Sequence, residues 1–188
     1  MGGVLISHGV NGSPGGNWYP WLAGRLRADG HEVAVPALPA EPDPHGWQKT
    51  IETALPAAPA DTVLVGHSLG GVALLRLLQN HDVAAHGPFR GLLLVASMAG
   101  DLGYSHLKGF YTPGFDWPRI RAAVRGARVL HAVDDPVTGA RVPEHMMIFA
   151  GKLGARVLLM PDGGHFPSHG STRPELPEAL RLVRELLG

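Results

Sequence analysis

A serine, an aspartate and a histidine occur in that order along the chain, each just beyond an apolar run. Ser68 lies in Gly66-His67-Ser68-Leu69-Gly70, between Thr62-Val63-Leu64-Val65 and Val72-Ala73-Leu74-Leu75-Arg76-Leu77-Leu78. Asp134 and Asp135 follow the run that ends at Val133. His165 follows the run 155–160 and the turn Pro161-Asp162-Gly163-Gly164. A serine hydroxyl is a poor nucleophile at neutral pH. It needs a base to take its proton and an acid to orient that base. Those roles fall to Ser68 as nucleophile, His165 as base and one of the paired aspartates as acid, Asp135 being preferred and Asp134 taken as structural. Asp101, in the loop after the fourth strand-like run, is a substitute candidate for the acid. His165 and His169 have the His-x3-His spacing of a metal pair, but no further His/Glu ligand cluster accompanies them, and no metal or other cofactor is expected.

The elements around these residues make the pattern specific. A β-branched run, a sharp turn with serine at its tip and an apolar helix form a nucleophile elbow of the α/β-hydrolase kind. The turn brings the residues two before and two after the serine into close quarters, hence glycine at both. The competing interpretation of 66–70 is an ordinary turn between strand and helix in a nucleotide-binding-like sheet. Strand-like runs fall at 3–7, 31–35, 62–65, 91–96, 127–133 and 155–160, short and apolar on both faces, as buried parallel strands are. Helical stripes alternate with them. Trp18, Trp21, Leu22 and Leu26 follow Asn17, a candidate N-cap, and exit at Gly30. Trp47, Ile51 and Leu55 form the next stripe, and others cover 70–80, 117–124 and 143–152. The last is the amphipathic set from Leu176 to Leu187. The expected architecture is a single α/β-hydrolase domain over 1–188. It has a mostly parallel six-stranded sheet, helices on both faces, right-handed crossovers and no large cap domain. The longest irregular segment, 97–116, is rich in glycine and aromatics, as functional loops often are.

Serine, acid and histidine would all leave the carboxyl ends of their strands, the edge at which α/β sheets bind ligands. The oxyanion of acyl transfer needs backbone donors there. The NH of Leu69, at the start of the elbow helix, is one. The loop Ser7-His8-Gly9-Val10-Asn11-Gly12 offers the second from Val10, with Asn11 as the alternative. His8 and His67 are scaffolding residues in this scheme. An acyl pocket lined by Trp18, Phe110, Tyr111, Phe115 and Phe166 is expected.

The chain resembles the small α/β-hydrolases of the retinoblastoma-binding protein nine (YdeN-type) family. The resemblance runs through His8-Gly9, Asn17-Trp18-Tyr19-Pro20-Trp21-Leu22, the Pro-rich loop ending at Trp47 and the serine pentapeptide. It continues through Gly100-Asp101-Leu102-Gly103, Gly109-Phe110-Tyr111-Thr112 with Trp117, Asp134-Asp135-Pro136 and Gly163-Gly164-His165-Phe166. It implies a lidless serine hydrolase in which the second aspartate of the pair, Asp135, is the acid. The family's short Asp-Asp-Pro-x-x-Pro turn is stretched here, running from Asp135-Pro136 to Pro143. The family name also points to a protein partner.

Composition narrows the function further. The 188 residues are 45% hydrophobic and 17% charged, with zero formal net charge. Such a chain is globular and presents no basic surface for nucleic acid or an anionic membrane. Cysteine is absent, which removes disulfides and thiolate chemistry. The chain opens directly into a strand-like run, so neither a signal peptide nor a membrane span is expected, and a cytoplasmic location follows as the default. The expected activity is hydrolysis of small carboxylic esters through an acyl-enzyme. An amidase or aminopeptidase with the same residues, or a protein-binding module on the same scaffold, are the alternatives.

Overall fold

A computed structural model describes residues 2–167 and 173–188. Its centre is one six-stranded, wholly parallel sheet. The strands are β1 (Gly3–Ser7), β2 (Glu32–Ala34), β3 (Thr62–His67), β4 (Gly91–Val95), β5 (Ala127–Ala132) and β6 (Arg156–Met160), in the order β2-β1-β3-β4-β5-β6. Every residue of β1, β3 and β4 is buried, as continuous apolar runs covered on both faces require. The chain grows outward in opposite directions from β1 and β3, so the crevice beyond their carboxyl ends is the topological switch point.

Two apolar layers sandwich the sheet. On one face lie α1 (Tyr19–Ala28) and α7 (Pro177–Leu187), with Leu22, Leu26, Leu180 and Val183 packed on Val4, Val63 and Leu93. On the other lie α2 (Pro44–Thr53), α3 (Leu69–Asn80), α5 (Trp117–Ala122) and α6 (Val142–Ile148). The helix α3 is buried from Leu69 to Leu78 because it packs on the sheet and is itself covered by α2 and α5. Its one buried cation, Arg76, donates from Nε to Phe110 O at 2.8 Å. It also bonds the carbonyls of Pro113 and Gly114 and stacks its guanidinium 4.3 Å over the Phe115 ring. That anchor draws the 97–116 segment, which includes a 3₁₀ stretch Ser105–Phe110, onto α3.

Several local expectations are corrected. Asn17 does not cap α1. It adopts φ 51°, Trp18 takes the cap position without a side-chain bond, and Asn17 Nδ2 donates to Tyr19 Oη at 3.3 Å instead. The helix expected over 143–152 ends early and passes into a π-helical turn, Phe149–Leu153, closed by Gly154 at φ 74°. A short α4 (Val83–His86) begins where Asp82 accepts from the Ala84 and Ala85 amides. No helix among the described residues is long and apolar enough to cross a membrane.

Candidate active site

The strand β3 runs through His67 and turns at Ser68, whose backbone takes φ 53° and ψ −127°, well outside the usual non-glycine regions. Close packing holds it there. A Cβ on Gly66 would stand 2.3 Å from Gly71 Cα, and one on Gly70 would stand 2.3 Å from the carbonyl oxygens of Ser7 and His8. Gly66 lets the helix fold back on its strand, and Gly70 lets the helix press against the end of β1.

Ser68 Oγ lies 2.8 Å from His165 Nε2, and His165 Nδ1 lies 3.0 Å from both oxygens of Asp135. A carboxylate only accepts, so His165 donates from Nδ1 and its Nε2 is left to accept from the serine hydroxyl. Asp135 is fully buried, and its Oδ1 also accepts from Val137 N at 2.8 Å. Burial alone would raise its pKa. The His131 imidazole 2.9 Å away, the hydrogen bond and charge of His165 and the Val137 amide reverse that and hold the carboxyl well below the usual carboxylate range. The stretched turn after Asp135 closes on the carboxylate itself, since Thr138 N and Oγ1 both reach it.

Asp134 serves the same loop differently: its Oδ1 accepts from Gly164 N at 2.8 Å. From the opposite side, Trp18 Nε1 donates to Phe166 O and His67 Nε2 donates to His165 O, each at 2.7 Å. His67 Nδ1 then accepts from Tyr19 Oη at 2.7 Å. Three side chains from α1, β3 and the acid loop thus grip the backbone that carries the imidazole. His8 braces the first loop in the same way, with Nδ1 to Gly9 O at 2.8 Å and Nε2 accepting from Leu38 N at 3.1 Å.

A cavity of about 570 Å³ opens over Ser68 and His165. Val10 and Leu69 both line it. Leu69 is the first residue of α3, where backbone NH groups have no partner within the helix. Val10 lies in a turn closed by Gly12 N to Gly9 O, with Asn11 at φ 57°.

The family model described as serine hydrolase matches residues 4–185. The chain belongs to the serine hydrolase family. It is 29% identical to YdeN of Bacillus subtilis (strain 168) over 166 residues, 87% of this chain and 85% of YdeN. It is 26% identical to serine hydrolase RBBP9 of Rattus norvegicus over 194 aligned positions, 99% of this chain and 90% of that protein. The crystal structure of the ydeN gene product from B. subtilis superposes with a TM-score of 0.88 at 26% identity, over 99% of this chain and 98% of that one.

In this serine hydrolase the five aromatics expected to form the acyl pocket lie elsewhere. Trp18, Phe110 and Phe166 are fully buried in the two cores. Phe110 packs edge-on against Trp47, and Phe115 contacts Trp117 and the guanidinium of Arg76. Tyr111 packs against the same core and pairs with Phe115. The anchor at Arg76 turns Phe110, Tyr111 and Phe115 toward α3, while Trp18 and Phe166 pack in the core on the other face of the sheet. The cavity walls are Val10, Leu69, Met98, Leu107 and Val137, with Tyr104 and His106 also lining it. Met98 to Leu107 come directly after β4, at the carboxyl edge of the sheet, and that position was the available signal for them. Asp101 makes a local turn to Gly103 N. His169 lies outside the described residues. Among the described residues no group of three or more His, Cys, Asp or Glu side chains could hold a metal.

Two buried histidines in this hydrolase shape its acid stability. Burial, then the charge of His165, pushes the His67 pKa down to about 3. Burial, then the charge of Arg141, pushes His145 down to about 4. Below pH 6.5 the unfolded chain protonates both histidines while the folded protein keeps them neutral. The unfolded state then binds more protons, and stability falls as pH drops from about 6.5 toward 4. Each histidine should contribute roughly 1 kcal/mol per pH unit across that window. Urea midpoints at pH 7, 5.5 and 4.5 should decrease in that order, and His67→Gln should flatten the trend. A midpoint constant across the three would contradict it.

Proposed function

We propose that this serine hydrolase cleaves small, uncharged carboxylic esters through an acyl-enzyme. Ser68 attacks the carbonyl, and His165 takes the serine proton and returns it to the leaving alcohol. Asp135 holds the imidazole in the Nδ1–H tautomer, and the NH groups of Leu69 and Val10 stabilise the oxyanion. Water then repeats the sequence on the acyl-enzyme, with His165 again as base. The chemistry needs no metal or organic cofactor. The observation that carries this reading is the unbroken hydrogen-bond path from Ser68 Oγ through His165 to Asp135, opening onto the cavity.

The cavity lining favours esters over aminopeptidase substrates. Among the described lining residues none is Asp, Glu, Lys or Arg. A free α-ammonium entering there would lose water without meeting a carboxylate. Apolar walls and hydrogen-bonding asparagines (Asn11 and Asn17) suit a neutral acyl group with a polar leaving group.

A substrate panel at neutral pH tests this. The enzyme should turn over p-nitrophenyl acetate with kcat/KM at least about 100-fold above leucine p-nitroanilide, the discrimination expected when a charge goes unpaired. It should also favour acetate over palmitate esters. Turnover of the anilide but not the acetate ester would make it an aminopeptidase. A folded protein inert to all three would favour a binding module.

A further inference from the structure

His131 is fully buried on β5, four residues before Asp135, and its Nε2 stands 2.9 Å from Asp135 Oδ2. The approach is bent, outside the angular limits of a regular hydrogen bond. Its chemistry is nonetheless constrained. Beside an ionised carboxylate at that distance, a proton on Nε2 is favoured over a lone pair, because the N–H attracts the oxygen and the lone pair repels it. The remaining donors to Asp135 come from its own turn, Val137 and Thr138, and from His165. His131 is thus the one donor among the described residues that reaches the carboxylate from the sheet.

We propose that His131 is a positioning residue of the hydrolytic site: its Nε2–H fixes the second oxygen of Asp135, so that the carboxylate presents one edge to His165. This rests on the assignment of Asp135 as the acid. The neighbouring His145 fits that tautomer. His145, on α6, accepts from Ala99 N through Nδ1 at 2.8 Å, so its own proton is on Nε2. His145 Nε2 is a donor and His131 Nδ1 an acceptor, and neither has a partner among the described residues. The titratable and charged groups around His131 are Asp135 on its own loop, His165 on the histidine loop, and His145 on α6, with Arg141 and Glu144 acting on His145. On β6, the residue in register with His131 is Leu159, which brings no charge.

Removing the donor has a defined sign. Asp135 without the polar N–H beside Oδ2 keeps more of its negative charge toward His165 and stabilises the imidazolium more. The acid-side midpoint of the pH–rate profile then rises. His131→Phe should lower kcat for p-nitrophenyl acetate on the order of 10- to 100-fold, with KM within about twofold, and raise that midpoint. His131→Gln, which can return an N–H near the same place, should recover most of both. Nitrogen NMR of the histidine rings in the unmodified enzyme provides a test independent of folding in the variants. The expected tautomer of His131 is Nε2–H. An Nδ1–H tautomer would overturn the proposal, as would a folded His131→Phe enzyme with unchanged kcat and pH profile. If Asp135→Asn were also silent, the assignment of the acid would have failed instead.

Discussion

Ser68→Ala should fold normally and lose about a millionfold in kcat for p-nitrophenyl acetate, falling to the small residual rate that a binding cavity and oxyanion donors sustain alone. The size of the loss follows from geometry. Ser68 Oγ is the atom that attacks in the proposed mechanism, and it stands 2.8 Å from His165 Nε2. Alanine keeps the Cβ and leaves the packing of Gly66 against Gly71 and of Gly70 against β1 untouched. Thermal unfolding of the variant should therefore match that of the parent protein. A variant that keeps more than a small fraction of the activity would show that another group attacks the ester.

Asp135→Asn should cost about four orders of magnitude in kcat, while Asp134→Asn should cost far less. The reason lies in who already binds the carboxylate. Val137 N donates to Oδ1 at 2.8 Å, so the asparagine will turn its carbonyl oxygen toward that amide. Its NH2 group then faces His165 Nδ1 and forces that nitrogen to accept. The proton moves to Nε2, and the imidazole can no longer take the serine proton. Asp134 instead uses Oδ1 to accept from Gly164 N, a bond that an asparagine oxygen preserves. Near-full turnover in Asp135→Asn together with collapse in Asp134→Asn would reverse the assignment. Steady-state kinetics of the two variants, with unfolding curves to establish equal folding, distinguish these outcomes.

The same contrast shows what the sequence makes legible. The six strands, their parallel pairing and the serine–acid–histidine order follow from continuous apolar runs and the loops after them, because those features are local. Asp135 is favoured over Asp134 on sequence resemblance, and the hydrogen bond to His165 now gives that preference a physical cause. What could not be seen depends on contacts distant in sequence. The five aromatics look like a pocket, but Arg76 binds three carbonyls of the 110–115 segment and stacks on Phe115, holding Phe110, Tyr111 and Phe115 against α3, while Trp18 and Phe166 are buried in the core on the other face of the sheet. Asn17 has the right residue type and position for a helix cap, yet the nearby Tyr19 hydroxyl competes for it, and that hydroxyl is itself placed by His67. His131 gives no signal at all, since one buried histidine on a strand resembles any other until its neighbour is a carboxylate.

Treating the folded protein with a fluorophosphonate and mapping the adduct by mass spectrometry tests the nucleophile most directly. A single phosphonylated residue at Ser68, absent from Ser68→Ala and strongly slowed in His165→Ala, is the expected result. Modification at another serine, or none on folded protein that binds its ligands normally, would contradict the account.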